Sequence, residues 1–359
     1  MQHHARHTVS RSSTESGFSL VELLIAMTIT LTALGISLTA LTSVSRAREA
    51  SSLLTDGNQS LRSTLNLMTR DLLVAGRLVP VGGISIPSGA GSVALVRPSQ
   101  TGTAMTFPAG DTALPAVSPA NALGPTINGT STDMVSILMI DTATLCGTTN
   151  RLDSLNLANI ANDGSSATVD PAMTISCTGN GITAGDLIMF KAGGTGETLM
   201  MVTAVNGRTM SFAPGDPMNL NQPGAAAGTI LQLHDTPTTY PLNTKAYRVY
   251  MISYYIYVDP ATPNKPQLMR RVNLRPDRAI GIGIENLQYT WDVVDGATNP
   301  VNVAAPTAAQ RNQVRKANVF VSGRSRTVWT QSRQYIRTSL STQVSLRSLS
   351  FVDRYNPTL

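Results

Sequence analysis

The stretch Gly17-Phe18-Ser19-Leu20-Val21-Glu22 opens an apolar run that continues over Leu23–Ser45. Glu22 carries the only charge between Glu15 and Arg46. A helix over the run would be about 34 Å long, which is enough to cross a hydrocarbon core about 30 Å thick. One end of the chain is therefore predicted to lie in a membrane. A carboxylate at the edge of such a helix is unfavourable when unpaired, so Glu22 is expected to have a partner.

The composition of the 359-residue chain limits its class. Only 13% of the residues are charged, the formal net charge is +6 and the pI is near 9.5. The 28 glycines and 20 prolines favour short strands joined by turns. If about sixty residues form one helix, the remainder suits one sizeable β-rich domain or two small ones. This mixture is more typical of an extracytoplasmic protein than of a cytosolic enzyme.

The two cysteines, Cys146 and Cys177, lie in the part beyond the apolar run. Outside a membrane an even pair indicates a disulfide, which would add about 3–4 kcal/mol in the chain-entropy model. Two buried free thiols are the alternative. The spacing fits no zinc pattern.

The segment before the apolar run, residues 1–17, is polar and contains Arg6, Arg11 and three histidines. A secretory signal peptide has its apolar region before the cleavage site, whereas here the apolar region follows Gly17. The positive segment is expected to stay in the cytoplasm. The C-terminal domain would then face away from the cytoplasm, across a membrane that the chain crosses once.

The sequence from Gly17 to Ala26, GFSLVELLIA, resembles the class III signal of type IV prepilins and of type II secretion pseudopilins. The resemblance implies that a prepilin peptidase cuts after Gly17 and that the new N-terminal Phe18 is N-methylated. It also implies that Glu22 pairs with the N-terminal amine of a neighbouring subunit in the assembled filament. A carboxylate in an apolar filament core does require a cation. The alternative is an ordinary single-pass anchor with a coincidental glutamate.

The helix is predicted to continue beyond the membrane to about Ala75, giving a membrane and assembly segment over residues 18–45 and an amphipathic segment over 46–76. Gly57 and Asn58 weaken the helix locally and suggest a kink or a melted turn. Gly76 suits a C-terminal cap. A one-face apolar stripe at helical spacing is formed by Leu54, Leu61, Leu65, Met68 and Leu72.

Two further stretches resemble minor pilins of the PilW type. One is MTRDLLVAG over residues 68–76, for which J-type pseudopilins have a related segment. The other is GIENLQY over residues 283–289. Within the first stretch, Arg70 and Asp71 are expected to be solvated helix charges.

The region 77–359 is expected to be a β-rich domain with long loops, especially over residues 81–129. Asn206-Gly207 is a hairpin signal, and Cys146 and Cys177 bracket a polar excursion. The predicted strands are Ser92–Arg97, Met134–Ile140, Asp186–Lys191, Leu199–Val205, Thr209–Phe212, Thr229–Leu233, Tyr247–Val258, Gln267–Leu274, Ile284–Trp291, Val314–Ser322 and Thr342–Phe351.

Enzyme chemistry finds little support in the sequence. Beyond the leader the only histidine is His234, beside Asp235, and there is no Gly-x-Ser-x-Gly elbow. Residues 193–196 resemble a phosphate loop only in their glycine content and are expected to form a turn. Asp292 and Asp295 lack the EF-hand spacing, so turn polarity explains them better than Ca²⁺.

A basic C-terminal region, residues 311–354, holds nine cations against one acid, Asp353. Together with Trp329 and Tyr335 it could bind DNA phosphates, anionic lipid headgroups or an acidic partner subunit. Solvated strand faces on different sides of the domain are the simpler interpretation. The cations are Arg311, Arg315, Lys316, Arg324, Arg326, Arg333, Arg337, Arg347 and Arg354.

These observations predict an α+β protein in which a long N-terminal pilin helix packs on an antiparallel β-rich domain. The resemblance implies a non-enzymatic minor pilin, without cofactor or metal, near the tip of a type IV pilus. Its expected partners are major and minor pilins, a prepilin peptidase, the inner membrane and a tip adhesin, with nucleic acid less favoured. A type II secretion pseudopilin and a membrane-anchored binding protein or hydrolase are the alternatives.

Overall fold

A computed structural model describes residues 17–100, 105–143, 155–194, 196–234 and 243–350, together with Cys146 and Tyr240. The predicted leader, apart from Gly17, lies outside the described residues, as do Asp235, Asp353 and Arg354. The chain has the predicted α+β architecture of one long helix followed by antiparallel sheets.

The long helix α1 extends over Leu20–Val74 without interruption, about 82 Å at 1.5 Å per residue. Gly57 and Asn58 therefore do not melt a turn. They lie where the helix meets the domain, and the Thr338 hydroxyl donates to Asn58 Oδ1 at 3.0 Å. The buried helix residues include four members of the predicted stripe, while Leu54 remains 40% exposed.

The helix ends as the sequence predicts. Ala75 is the C-terminal cap and Gly76 follows with a φ of 79°. The Gly76 N–H donates to the Leu138 carbonyl at 2.7 Å, so the chain turns directly into the domain. A Cβ on Gly76 would lie 2.5 Å from Leu349 Cδ2, which leaves no room for a side chain.

Most strands belong to one 11-stranded antiparallel sheet. Its strands are β3 (Val117–Ala120), β6 (Met134–Ile140), β7 (Leu155–Ile160), β8 (Ser166–Val169), β9 (Leu187–Ala192), β10 (Gly196–Met201), β11 (Ala204–Asn206), β12 (Thr209–Ser211), β13 (Lys245–Tyr257), β14 (Gln267–Val272) and β15 (Arg278–Ile282).

Strand β13 is the centre of this sheet because both of its edges are paired along most of its length. Its first half pairs with β9 and β7, and its second half with β14 and β6. The tyrosines and β-branched residues that predicted a strong strand are mostly buried. The residues of β13 around Tyr254 are buried in a hydrophobic core that includes α1. Ala246, in the first half of β13, is buried in a second hydrophobic core next to Cys146.

A separate three-stranded sheet contains β16 (Ile284–Val293), β17 (Val314–Arg324) and β18 (Arg337–Ser345), in that order. Strands β17 and β18 pack against α1. The remaining elements are β1 (Ile84–Ser85), β2 (Ala113–Leu114), β4 (Thr126–Ile127), β5 (Thr130–Ser131), a 3₁₀ helix (Ile230–Leu233), α2 (Ala308–Arg311) and α3 (Arg347–Ser350).

Several strand predictions were wrong in detail. Within the strand predicted over 229–233, Ile230–Leu233 form the 3₁₀ helix, because the hydroxyl of its N-cap Thr229 and the Gln232 side chain form a capping box. Residues 92–97 form only one isolated bridge, between Val96 and Thr106. The strand expected over 199–205 is split into β10 and β11, and the last strand ends at Ser345 before α3.

The polar excursion between the cysteines contains β7 and β8, which pair with each other. The hairpin prediction at Asn206-Gly207 is confirmed, with Gly207 and Arg208 forming a two-residue loop between β11 and β12. Strands β9 and β10 pair from Ala192 and Gly196, and Gly193 and Gly194 between them lie in a turn, as expected, while Thr195 is outside the described residues.

Candidate processing and assembly site

The predicted cleavage point lies in an accessible, irregular segment. Gly17, Phe18 and Ser19 precede the first helical residue, and the Phe18 side chain is 87% exposed. A Cβ built on Gly17 would have no neighbour within 4 Å. Exposed backbone outside regular structure is where proteolytic cleavage occurs most readily. The geometry is therefore compatible with a cut between Gly17 and Phe18.

The helix begins with a capping box that the sequence reasoning missed. Ser19 is the N-cap, its Oγ accepts from the Val21 N–H at 3.3 Å, and its own N–H donates to Glu22 Oε2 at 3.0 Å. The pattern Ser-x-x-Glu before an apolar run is the sequence signal for this arrangement. The negative charge also lies at the positive end of the helix dipole, where it is favourable. Glu22 thus has a local role besides its predicted intersubunit role.

Capping uses only one oxygen of the Glu22 carboxylate. Oε2 accepts the Ser19 N–H, and within the described part of the chain no donor reaches Oε1. An ionised carboxylate offers about four lone-pair sites. Glu22 can therefore cap its own helix and still accept a cation from outside the chain.

The first half of α1 presents an apolar surface that the domain does not cover. Large side chains from Leu20 to Val44 are 50–79% exposed, and none of the most apolar 18-residue window is buried. This window has a mean hydropathy of 2.0, so the helix is long and apolar enough to cross a membrane. The apolar surface requires lipid or the helices of other subunits around it.

Seven hydroxyl groups within the apolar half donate to carbonyls of the helix itself. Thr28 and Thr30 donate to the carbonyls of Ile25 and Ala26 at 2.8 and 2.6 Å, and Ser43 donates to that of Thr39 at 2.8 Å. A hydroxyl without a partner would be unfavourable in hydrocarbon. These backbone hydrogen bonds allow Thr and Ser in a segment that is surrounded by lipid or by apolar side chains.

The second half of α1 is fastened to the domain through Asp71. This carboxylate is 7% exposed and its Oδ2 accepts from the Tyr254 hydroxyl at 2.5 Å and from Arg270 Nε at 2.7 Å. Burial raises the pKa of Tyr254, and the adjacent Asp71 charge raises it further. Burial opposes the charge on Arg270, but the hydrogen bond to Asp71 raises its pKa overall.

The expectation that Arg70 and Asp71 are both solvated is therefore wrong for Asp71, while Arg70 is exposed. The partners of Asp71 lie 183 and 199 residues away in the sequence, which is why local spacing did not indicate them.

Cys146 and Cys177 form the predicted disulfide, with their Cα atoms 5.6 Å apart. It closes a 31-residue separation that contains the β7–β8 hairpin. Nearby, the buried Arg248 binds Asp141 and the Gly181 carbonyl, so the turn after Cys177 is held from a second side.

The basic C-terminal residues do not form one patch. Arg337 and Arg324 bind the buried Glu285 at 2.7 and 3.1 Å, and Arg311 binds Asp111 at 2.5 and 2.9 Å. Glu285 belongs to strand β16 and neutralises part of the basic set.

The remaining basic residues lie at two ends of the sheet. Lys316 and Arg347 are exposed at one end, while Arg326 and Arg333 are exposed beyond the other end. Eight strand residues separate Lys316 from Arg324, about 27 Å at 3.4 Å per residue. Arg315 donates to backbone carbonyls. The possible basic surface is therefore divided in the structure, because several of its cations have buried acidic partners that the sequence cannot show.

The other polar candidates have local contacts. His234 packs edge-on against Tyr240, with ring centroids 4.0 Å apart. Asp295 caps a turn by accepting the N–H groups of residues 297–299, of which that of Asn299 contributes most to lowering its pKa. Within the described ranges, no group of three or more His, Cys, Asp or Glu residues is placed to hold a metal.

One comparison with known proteins gives a match. The prokaryotic N-terminal methylation motif matches residues 12–38, which include the predicted cleavage point, Glu22 and the first part of the apolar helix. No curated protein and no solved structure is significantly similar to this chain. The motif supports a pilin-like or pseudopilin-like protein that is processed by a prepilin peptidase and assembled with other pilins. The apolar helix fits membrane anchoring.

Proposed function

We propose that this chain is a minor pilin of the PilW type that takes part in type IV pilus assembly as a low-copy subunit near the tip. The observation that carries the proposal is the uncovered apolar half-helix that opens with Gly17-Phe18 and Glu22. After cleavage the chain begins at Phe18, four residues before Glu22. The helix lies in the bilayer before assembly and among the helices of other pilins afterwards.

The shape of the subunit supports a low-copy position. The domain covers part of the surface of the second half of α1 only, and this covered part begins near Glu49. A domain of this size would crowd a shaft built from identical repeats. At the tip it is displayed toward partners such as an adhesin. In this proposal residues 1–17 stay in the cytoplasm and the domain lies in the periplasm.

The proposed role is assembly rather than catalysis. The buried charges described above are engaged in ion pairs that join elements of the fold, such as Asp71 with Arg270 and Glu285 with Arg337. These ion pairs account for the stability of the fold and for the position of its elements, so the proposal assigns them no role in a reaction.

The test separates the two roles of Glu22 with two variants. Glu22→Gln keeps an oxygen that can accept the Ser19 N–H but removes the charge, whereas Glu22→Ala removes both. If Glu22 pairs with the amine of a neighbour, both variants should be processed normally and both should be depleted from purified pili. The readout is the amount of the chain in sheared pili, measured by quantitative mass spectrometry against the amount in the membrane.

Normal incorporation of Glu22→Gln would refute the pairing account, and a defect in Glu22→Ala alone would assign the role of Glu22 to helix capping. Ser19→Ala serves as the matched control because it removes the other half of the capping box and retains the carboxylate.

A J-type pseudopilin of a type II secretion system is the second candidate. It is favoured by the fact that the matched motif covers only the helix that both classes share. Presence of the chain in sheared pili supports the pilus assignment. Its absence there, combined with loss of protein secretion when the gene is deleted, would support the pseudopilus instead.

A further inference from the structure

The loop between β17 and β18, residues 325–336, reaches along α1 toward its apolar half and is here called the hairpin tip. The Thr330 hydroxyl donates to Glu49 Oε1 at 2.5 Å, and the Thr330 N–H donates to the same oxygen at 3.3 Å. Glu49 and Ala50 are the first helix residues that are partly covered, since all those from Gly17 to Arg48 are exposed. Among the described residues of the domain, the hairpin tip is therefore the part nearest to the membrane segment.

Helix geometry gives the depth of the hairpin tip. Glu22 and Glu49 are 27 residues apart, or about 40 Å along a straight helix. A bilayer measures about 40–45 Å when its headgroup layers are included. If Glu22 lies in one headgroup layer, Glu49 lies in the other. The contact between Thr330 and Glu49 then places the hairpin tip at headgroup depth on the side of the domain.

The hairpin tip has a defined conformation. The Trp329 N–H donates to the Gln334 carbonyl and the Arg333 N–H donates to the Trp329 carbonyl, both at 2.9 Å. At its base the Ser325 N–H donates to the Ile336 carbonyl at 2.7 Å. These bonds hold the side chains of the loop in a fixed arrangement beside the helix.

The exposed chemistry of the hairpin tip matches a lipid interface. Arg326 and Arg333 are exposed and, among the described residues, neither forms an ion pair. Val328 is 44% exposed and Trp329 is half-buried. On the helix, Arg46 and Arg48 lie within the two turns that adjoin the apolar run. The hairpin tip and the adjoining helix turns therefore carry four exposed cations near an amphipathic aromatic residue, with Glu49 bound by Thr330 and with Asp56 beside Arg326.

We propose that the hairpin tip docks on anionic phospholipid headgroups of the leaflet that faces the domain. Arg326 and Arg333 contact the phosphates, and Val328 and Trp329 enter the interface, where tryptophan is enriched in membrane proteins. The contact holds the domain upright on the bilayer before assembly and is released when the helix leaves the membrane. The proposal rests on membrane insertion of α1, and it is independent of whether the protein serves a pilus or a secretion system.

The experiment uses the full chain reconstituted into vesicles of phosphatidylcholine, alone or mixed with phosphatidylglycerol, that carry a nitroxide quencher on the headgroup. Flotation with the vesicles establishes insertion. Trp329 reports docking, and the fully buried Trp291 gives an unquenched background. Trp329 fluorescence should be quenched more in the anionic vesicles than in the neutral ones. High salt should reduce the quenching in the anionic vesicles. Trp329→Phe should lose the quenched component.

The charge dependence is tested with two double variants of equal net charge. Arg326→Gln with Arg333→Gln should lower the docking constant about 30-fold, since each arginine near an anionic surface contributes a factor of about five. Lys316→Gln with Arg347→Gln removes two exposed cations at the far end of the sheet and should leave quenching unchanged.

Equal quenching in neutral and anionic vesicles, or an equal loss in both double variants, would overturn the proposal. Failure of the chain to float would overturn it together with the membrane anchoring of α1. None of these vesicle results would test the pairing of Glu22, because that pairing is measured separately in pili.

Discussion

Replacing Asp71 with alanine should weaken the attachment of the second half of α1 to the β-rich domain. Asp71 is 7% exposed and accepts hydrogen bonds from Tyr254 and Arg270. Removing one member of a buried ion pair is destabilising by about 3–5 kcal/mol, because the other charge remains buried and unpaired. The Arg270 side chain keeps 22% of its exposure and can partly rehydrate. We therefore expect a loss near the lower limit, about 3 kcal/mol.

The measurement is thermal unfolding of the full chain in detergent, followed by the near-ultraviolet circular dichroism of the buried core. At roughly 2 °C per kcal/mol for a domain of this size, Asp71→Ala should lower Tm by about 6 °C. Tyr254→Phe removes one hydrogen bond to a charged group and should lose about 1.5 kcal/mol.

Arg70→Ala is the matched control for Asp71→Ala, because Arg70 is adjacent and exposed. Its effect should stay within about 0.5 kcal/mol. The interpretation of Asp71 as the fastening point would be refuted if Asp71→Ala and Arg70→Ala had the same Tm.

Three further perturbations test other parts of the fold. Gly76→Ala brings a Cβ to 2.5 Å from a side-chain carbon. Gly82→Ala is its control, because Gly82 also has a positive φ but has open space around it. In urea unfolding, Gly76→Ala should lower the free energy of unfolding by about 1–3 kcal/mol more than Gly82→Ala does. Breaking the Cys146–Cys177 bond with a double serine variant should lower the free energy of unfolding by about 3–4 kcal/mol. Burial opposes ionisation of Asp141, but hydrogen bonds from a backbone N–H and a buried arginine lower its pKa. Its contribution should be present above the unfolded pKa of about 4 and disappear as the pH falls through the lower folded pKa, so the urea midpoints of the parent and Asp141→Asn should converge as the pH is lowered below about 4.

The long helix and the strong strands could be predicted because their signals are local. An uncharged run and an apolar stripe at helical spacing determine α1, and aromatic and β-branched residues determine β13. The disulfide followed from two cysteines in a chain expected to cross a membrane. The capping box at Ser19 and Glu22 was equally local and could have been found from its Ser-x-x-Glu pattern.

The features that escaped prediction depend on contacts between distant residues or on ambiguous short runs. Asp71, Glu285 and Arg311 look like surface charges in sequence, but each has a partner from another element. Residues 230–233 are apolar enough for a strand, yet a capping box makes them a 3₁₀ helix. Strand β7 reads Leu-Asn-Leu-Ala-Asn-Ile and is too polar to stand out, because most of its central residues remain exposed or half-buried.

The N-terminus of the chain isolated from its native host tests the central claim most directly. If the chain is a processed pilin-like protein, mass spectrometry of the membrane and pilus fractions should find a mature chain that begins at N-methylated Phe18. An N-terminal peptide starting at Met1, or a cut at another position, would contradict the assignment of Gly17–Glu22 as a processing and assembly site. That result would favour an ordinary membrane-anchored protein instead.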